Sequence, residues 1–132
     1  MQLLDHVSIG VNDIHAARPF YDAIMNALGA TKVYERSDAL GYGERCSSDD
    51  TVSTCLSVYL DPATIDENKR HWCFKALSRQ HVDAFFAAGV AAGGRSNGDP
   101  GLRPHYHPDY YGAFLFDPAG NCVEAACHAA SD

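Results

Sequence analysis

Two histidines and one glutamate are the residues of this chain whose types and spacing could hold a metal ion. His6 and His71 each belong to an alternating strand pattern, and Glu124 lies within an otherwise apolar strand pattern. Alternate side chains of a strand share a face, so each of the three lies opposite the apolar residues of its own strand. Two imidazoles and a carboxylate on one face form a facial triad, which binds a divalent metal ion and leaves positions open for substrate oxygens. The spacing does not distinguish iron, manganese, nickel and zinc, and the alternative is that the histidines are ordinary surface or hydrogen-bonded residues.

An internal repeat relates the two histidines to each other. A shift of 65 residues carries His6 onto His71, and it carries the aromatic pair at 20–21 onto the pair at 85–86. Because the shift is about half of the 132-residue length, the chain is predicted to contain two copies of one unit within a single domain. The first unit, the polar linker and the second unit are predicted at 1–62, 63–70 and 71–132.

Each unit is predicted to run strand–helix–strand–strand–strand, which makes the fold class α+β. Asp13 and Ser78 can cap the starts of two helices, and Gly29 and the glycines at 93–94 can end them. Pro19 lies too far along for the first turn, so the first helix is predicted to start late or to kink there. The predicted strands include Leu3–Val11, Thr31–Arg36, Leu40–Cys46, Thr54–Leu60, His71–Leu77, Ala113–Phe116 and Cys122–Cys127.

Composition excludes several classes of function. The net charge of −7 argues against a nucleic-acid partner, which needs a basic surface, and against an anionic membrane surface. No apolar run reaches the ~18 residues of a membrane span, and the sequence does not open with the basic-then-apolar pattern of a signal peptide. The five cysteines are odd in number and include no C-x-x-C, so we expect no disulfide framework and a cytoplasmic location.

The segment 97–112 contains three prolines and five aromatic or histidine side chains. We interpret it as one wall of a substrate pocket, in which Arg103 holds an anionic group and Tyr106 contacts the substrate. His107 or Tyr111 would then transfer a proton to or from the substrate. The alternative is a rigid surface loop whose tyrosines cover the edge of a sheet.

Two other features of the sequence allow a role in the site. Cys73 shares the face of His71 and could line the pocket, although a free cysteine is often a small packing residue. His105 and His107 are two positions apart and could begin a second metal site, but no third ligand is evident from position.

These patterns together resemble the vicinal oxygen chelate superfamily, which includes glyoxalase I, extradiol dioxygenases, fosfomycin-resistance thiol transferases and bleomycin-resistance proteins. Beside the paired units, the resemblance rests on Asp5-His6-Val7, His71-Trp72-Cys73-Phe74 and Asp117-Pro118-Ala119-Gly120-Asn121-Cys122-Val123-Glu124. It covers nearly the whole chain. It implies two βαβββ modules that form a cupped mixed β-sheet around a divalent metal ion, with ligands His6, His71 and Glu124. It also implies a homodimer, which open sheet edges favour as well.

One departure separates this chain from glyoxalase I. That enzyme has a fourth ligand, normally glutamate or glutamine, on the last strand of the first unit. Here Thr54–Leu60 contains no carboxylate, amide or imidazole. A set of two histidines and one glutamate is closer to the dioxygenases and the fosfomycin enzymes.

The predicted function is that of a metal-dependent, glyoxalase- or dioxygenase-like enzyme with lyase or isomerase-type chemistry. Two neighbouring oxygens of a small metabolite would chelate the metal ion, which acts as a Lewis acid, and Glu124 would also carry a proton. The alternative is a metal-free binding protein that sequesters a ligand, resembling the bleomycin-resistance proteins. The presence of both histidines and the glutamate favours the enzyme, while the fold alone does not choose the reaction.

Overall fold

The predicted strand–helix–strand–strand–strand order occurs twice in the computed structural model, which describes residues 3–44, 48, 52–63 and 71–130. The elements in chain order are β1 (His6–Val11), α1 (Ile14–Leu28), β2 (Lys32–Glu35), β3 (Ala39–Gly43), β4 (Cys55–Leu60), β5 (His71–Lys75), α2 (Arg79–Ala91), β6 (Arg95–Leu102), β7 (Tyr111–Phe116) and β8 (Cys122–Cys127). The α+β class and the two modules are therefore confirmed. Cys46 and most of the expected linker, 64–70, lie outside the described residues.

The strands form two four-stranded mixed sheets with equivalent orders. The first sheet has the order β1-β4-β3-β2 and the second has the order β5-β8-β7-β6. In each sheet the first strand of the module pairs in parallel with the last, and the other pairs are antiparallel. Equivalent strands thus have equivalent neighbours, and β1 and β5 are edge strands within the described chain.

The first helix is held by local signals and by burial. The carboxylate of Asp13 accepts hydrogen bonds from two backbone N–H groups of the first turn, at 3.0 and 3.2 Å, and Gly29 ends the helix with a φ of 80°. The predicted late start is wrong, because α1 begins directly after Asp13 and continues through Pro19. The proline removes one N–H donor, while the neighbouring Phe20 and Tyr21 are fully buried and stabilise the helix by packing.

One hydrophobic core joins the two modules. Gly89 allows α2 to pack closely on β7 and on α1, since a Cβ there would lie 2.3 Å from Leu115 Cδ1 of β7 and 3.0 Å from Ile24 Cγ2 of α1. The buried hydroxyl of Tyr21 on α1 donates to Asp117 of the second module at 2.6 Å. The helices cover one face of each sheet, and we call the opposite face the site face. No helix in the described part of the chain is long and apolar enough to cross a membrane.

Strand β6 is the element to which the sequence analysis assigned no residue range, although the repeated order required a strand there. It contains Gly98, Pro100 and Gly101, which are unfavourable inside a sheet. These residues are tolerated because β6 is an edge strand and its register with β7 shifts on both sides of Gly98. The segment 97–112 is therefore a strand as far as Leu102, followed by a turn that leads into β7.

Candidate functional site

His71 and Glu124 meet on the site face of the second sheet. Strands β5 and β8 pair in parallel with Cys73 opposite Glu124, and His71 Nε2 lies 3.3 Å from Glu124 Oε1. The glutamate is 2% exposed, whereas the histidine side chain is 53% exposed. A carboxylate is costly to bury without partners. The pair therefore places one buried carboxylate oxygen and one accessible imidazole nitrogen side by side, and both are atoms that could bind a metal ion.

Tyr110 holds the other side of the same carboxylate. Its hydroxyl donates to Glu124 Oε2 at 2.5 Å. Gly112 makes room for this contact, because a Cβ there would lie 3.1 Å from both Glu124 Oε2 and the Tyr110 ring. Burial and the hydrogen bond to Glu124 raise the pKa of Tyr110 above its ordinary value. The tyrosine is thus a protonated donor at neutral pH.

The thiol of Cys73 lies beside the same carboxylate. Desolvation of the thiol and the negative charge of Glu124 raise the pKa of Cys73 to about 12, although the residue as a whole is exposed. A thiolate is the nucleophilic form of cysteine, so Cys73 is a neutral wall residue in the metal-free chain.

His6 lies on the other sheet, at the edge strand β1. Its Nδ1 is 2.8 Å from the carboxylate of Asp5, and its side chain is 61% exposed. Because an ionised carboxylate only accepts hydrogen bonds, His6 Nδ1 is the donor in this contact, which leaves Nε2 as the ring nitrogen that could bind a metal ion. Metal-binding histidines commonly have such a carboxylate partner. Within the described residues, however, no three side chains of His, Cys, Asp or Glu lie together as a metal-binding group.

Ser57 occupies the position of the first sheet that corresponds to Glu124. In β1 and β4, Ser57 lies opposite Ser8, two residues after His6, just as Glu124 lies opposite Cys73, two residues after His71. The Ser57 hydroxyl is hydrogen-bonded to Tyr34. At this position the first module therefore has the hydrogen-bonded hydroxyl groups of Ser57 and Tyr34, whereas the second module has the carboxylate of Glu124.

Arg103 and Phe114 continue the site face beyond Glu124. Phe114 lies opposite Glu124 in the β7–β8 register, and its ring centroid is 5.9 Å from that of His71. The guanidinium of Arg103 lies over the Phe114 ring at 5.8 Å. A cation, an aromatic ring and the His71–Glu124 pair thus follow one another across the sheet.

The family assignment rests on the sequence match that accompanies this geometry. A model of the Glyoxalase/Bleomycin resistance protein/Dioxygenase superfamily matches residues 3–125. The chain belongs to this superfamily. A crystal structure of a glyoxalase/bleomycin resistance protein from Albidiferax ferrireducens T118 is similar at 31% identity, covering 94% of this chain and 98% of that chain with a TM-score of 0.79.

More distant members of the superfamily show the fold alone. A glyoxalase-related enzyme from Fulvimarina pelagi is 18% identical over 96% of this chain and 88% of that chain, with a TM-score of 0.69. A glyoxalase/bleomycin resistance protein/dioxygenase family enzyme from Burkholderia phytofirmans PsJN is 21% identical over 95% and 98%, with a TM-score of 0.65. No curated protein matches the chain.

The Tyr111 side chain points away from the site face. The Tyr111 hydroxyl donates to Asp83 of α2 at 2.6 Å, and its ring lies under Arg79 at 5.3 Å. The expected proton transfer by Tyr111 does not fit this position, because the residue alternates with Tyr110 and Gly112 and so faces the helix. The strand periodicity of β7 would have selected Tyr110 had the strand been predicted to begin before Ala113.

The remaining predicted residues form an aromatic cluster beside Tyr110. His107 Nε2 lies 2.9 Å from His128 Nδ1, and both rings contact Tyr110 with centroids 5.6 and 5.2 Å away. Tyr106 lies 4.8 Å from Tyr110 and is 57% exposed. The His105 ring contacts the Tyr106 ring at a tilt of 41°, so the two histidines suggested as a second metal site have different partners.

Proposed function

We propose that this superfamily member is a metal-dependent enzyme that acts on a small oxygenated metabolite. The observation that carries the proposal is the buried Glu124 carboxylate, with Oε1 facing His71 at 3.3 Å and Oε2 bonded to Tyr110 at 2.5 Å. An imidazole nitrogen and a carboxylate oxygen are ligands that suit iron, manganese, nickel and zinc. The types of ligand therefore fit a divalent metal ion.

We propose further that the third ligand is His6 of the partner subunit in a homodimer. Both β1 and β5 are edge strands in the described chain, and unpaired edges favour pairing with another strand. The two edges carry His6 and His71, each exposed by more than half of its side chain. Bringing β1 of one copy beside β5 of the other would add the second imidazole to the His71–Glu124 pair.

The chemistry proposed is of the lyase or isomerase type. When bound, such an ion would act as a Lewis acid toward two neighbouring oxygens of the substrate. Glu124 is the residue that would accept or return a proton, and Tyr110 would orient its carboxylate. Ser57 offers a hydroxyl group at the position of the fourth ligand of glyoxalase I, so we favour a three-ligand site over glyoxalase I activity itself.

The test is metal analysis after chelation and reconstitution with Mn²⁺, Ni²⁺, Zn²⁺ or Fe²⁺. Wild-type protein is expected to take up one ion per chain, and Glu124→Ala is expected to take up none. Glu35→Ala, which removes an exposed carboxylate on β2, serves as the control and should retain the metal. Full retention by Glu124→Ala would contradict the ligand assignment. A wild-type protein that takes up none of these ions would favour the sequestering binding protein instead.

A further inference from the structure

Arg103 is a fixed cation on the site face. Its Nη2 donates to the backbone carbonyl of Asp99 at 2.7 Å, while the Asp99 carboxylate accepts from Ser96 instead. Among the described residues, Arg103 forms no ion pair with an acidic side chain.

Strand β6 is shaped around this guanidinium. A Cβ at Gly98 would lie 3.3 Å from Arg103 Nη2 and 3.1 Å from Phe114 Cδ1, and a Cβ at Gly101 would lie 3.2 Å from Arg103 Nη1. The backbone N–H of Arg103 donates to the carbonyl of Tyr110 at 2.7 Å. Glycines, a carbonyl acceptor and an aromatic ring therefore hold the cation in one place, as a prepared binding group requires.

The distance between Arg103 and Glu124 determines how long a ligand must be to contact both residues. Neighbouring strands lie about 4.8 Å apart, so β8 and β6 are separated by roughly 10 Å. Because Arg103 reaches back over Phe114 on the intervening β7, the anionic group would lie closer to Glu124 than that full separation. The Phe114 ring between them offers a flat apolar surface.

We propose that Arg103 and Phe114 form a carboxylate-binding subsite, so that the substrate is a small acid with three parts. Its vicinal oxygens lie at His71 and Glu124, its flat apolar body lies on Phe114, and a distal carboxylate pairs with Arg103. One guanidinium matches one carboxylate in charge and in its bidentate geometry. This inference rests on the proposed function for the first part alone, since Arg103 and Phe114 are placed by the chain itself.

The experiment compares mandelate with 4-carboxymandelate by calorimetric titration of Zn²⁺-loaded and of metal-free protein. The two probes share the vicinal oxygens and the ring and differ only in the distal carboxylate. Wild-type protein is expected to bind 4-carboxymandelate roughly tenfold more tightly or better, as a charge-assisted hydrogen bond provides. Arg103→Gln should bind both probes equally, and Arg103→Lys should keep part of the preference.

Arg95→Gln is the matched control, because Arg95 also lies over a phenylalanine of β7, Phe116, at the other end of β6. It should keep the full preference for 4-carboxymandelate. An equal affinity of wild-type protein for both probes, the lack of any binding, or a preference that survives Arg103→Gln would overturn the subsite. If the metal site is absent, the result is different. Zn²⁺ then strengthens the binding of neither probe, while the preference for 4-carboxymandelate persists.

Discussion

Glu124 is the residue on which the proposed chemistry of the second sheet depends. Its carboxylate is almost completely buried and has a different partner on each oxygen, His71 on one side and the Tyr110 hydroxyl on the other. A buried charge that lost these partners would be strongly destabilising. The arrangement therefore fixes the direction of Oε1, which is the atom available to a metal ion.

Removing the Tyr110 hydroxyl should weaken metal binding without removing a ligand. We expect Tyr110→Phe to lower metal affinity by roughly 10- to 100-fold, as loss of a hydrogen bond behind a ligand commonly does. The measurement is a competition titration against a metal chelator. Tyr106→Phe is the control, because its ring contacts Tyr110 without reaching Glu124. Equal affinities of Tyr110→Phe and wild-type protein would show that the hydrogen bond does not position the carboxylate.

The thiol of Cys73 reports on the charge of Glu124. Desolvation and that charge raise the pKa of Cys73 to about 12. Iodoacetamide should therefore alkylate Cys73 of the metal-free protein slowly at pH 8. Glu124→Gln removes the negative charge and should make alkylation of Cys73 several-fold faster, as measured by peptide mass spectrometry with iodoacetamide. Cys55, which lies on the first sheet, should react at an unchanged rate. A rate at Cys73 that is the same in both proteins would show that the charge of Glu124 does not reach the thiol.

Among the helices and strands, the sequence predicts the ones that are specified by their own residues. Both helices have capping residues, and β8 is an apolar run interrupted only by Glu124, so each could be predicted from local signals. Strand β6 could not, because Gly98, Pro100 and Gly101 disfavour a strand and only its position at the sheet edge permits one. Which of the neighbouring residues Tyr110 and Tyr111 faces the site depends on the register of the β6–β7 hairpin, and no local signal in the sequence specifies that register.

The packing of α2 on β7 and α1 should be sensitive to one methyl group. Gly89→Ala places a Cβ within 2.3 Å of Leu115 Cδ1, so we expect a loss of about 1–3 kcal/mol in the free energy of unfolding. Chemical denaturation measures this loss. Ala91→Ser, at an exposed position of the same helix, should change stability by less than about 0.5 kcal/mol. A Gly89→Ala protein as stable as wild type would mean that α2 can move away from β7 and α1 at no cost.

At the scale of the whole molecule, the two modules are joined through a buried polar contact as well as through the core. Asp117 is fully buried and accepts hydrogen bonds from Tyr21 and from the backbone and side-chain amides of Asn121. Asn121 also donates to the carbonyl of Gly10 at 2.9 Å. The turn that precedes β8 thereby connects Glu124's strand to β1 and to α1.

The Tyr21–Asp117 contact predicts how stability depends on pH. Burial and the neighbouring Asp117 raise the pKa of Tyr21 well above its ordinary value. The unfolded chain therefore loses this proton more readily, so wild-type stability should fall as pH rises above about 10. Tyr21→Phe should cost about 1–2 kcal/mol at pH 7 and should show a shallower alkaline decline. Denaturant titrations at pH 7 to 11 measure both effects, and parallel declines would contradict this assignment.

The sequence also predicted the three candidate ligands without showing how they are divided between the sheets. Strand periodicity placed His71 and Glu124 on one face, and the structure brings these two together. His6 follows the same periodicity, but its strand belongs to the other sheet. A sequence repeat relates equivalent positions of the two modules, but it carries no information about which sheet edges come together. That relation depends on assembly, which is why we propose that His6 reaches the site from a second copy.

The most direct test of the central proposal is metal uptake by a mixed dimer. His6→Ala and Glu124→Ala chains carrying different affinity tags are co-expressed, and the heterodimer is isolated by sequential purification. If His6 of one subunit joins His71 and Glu124 of the other, the heterodimer contains one intact site and one site that lacks two ligands. We therefore expect one metal ion per heterodimer and none in either variant homodimer. A heterodimer that also binds no metal would contradict a site shared between subunits.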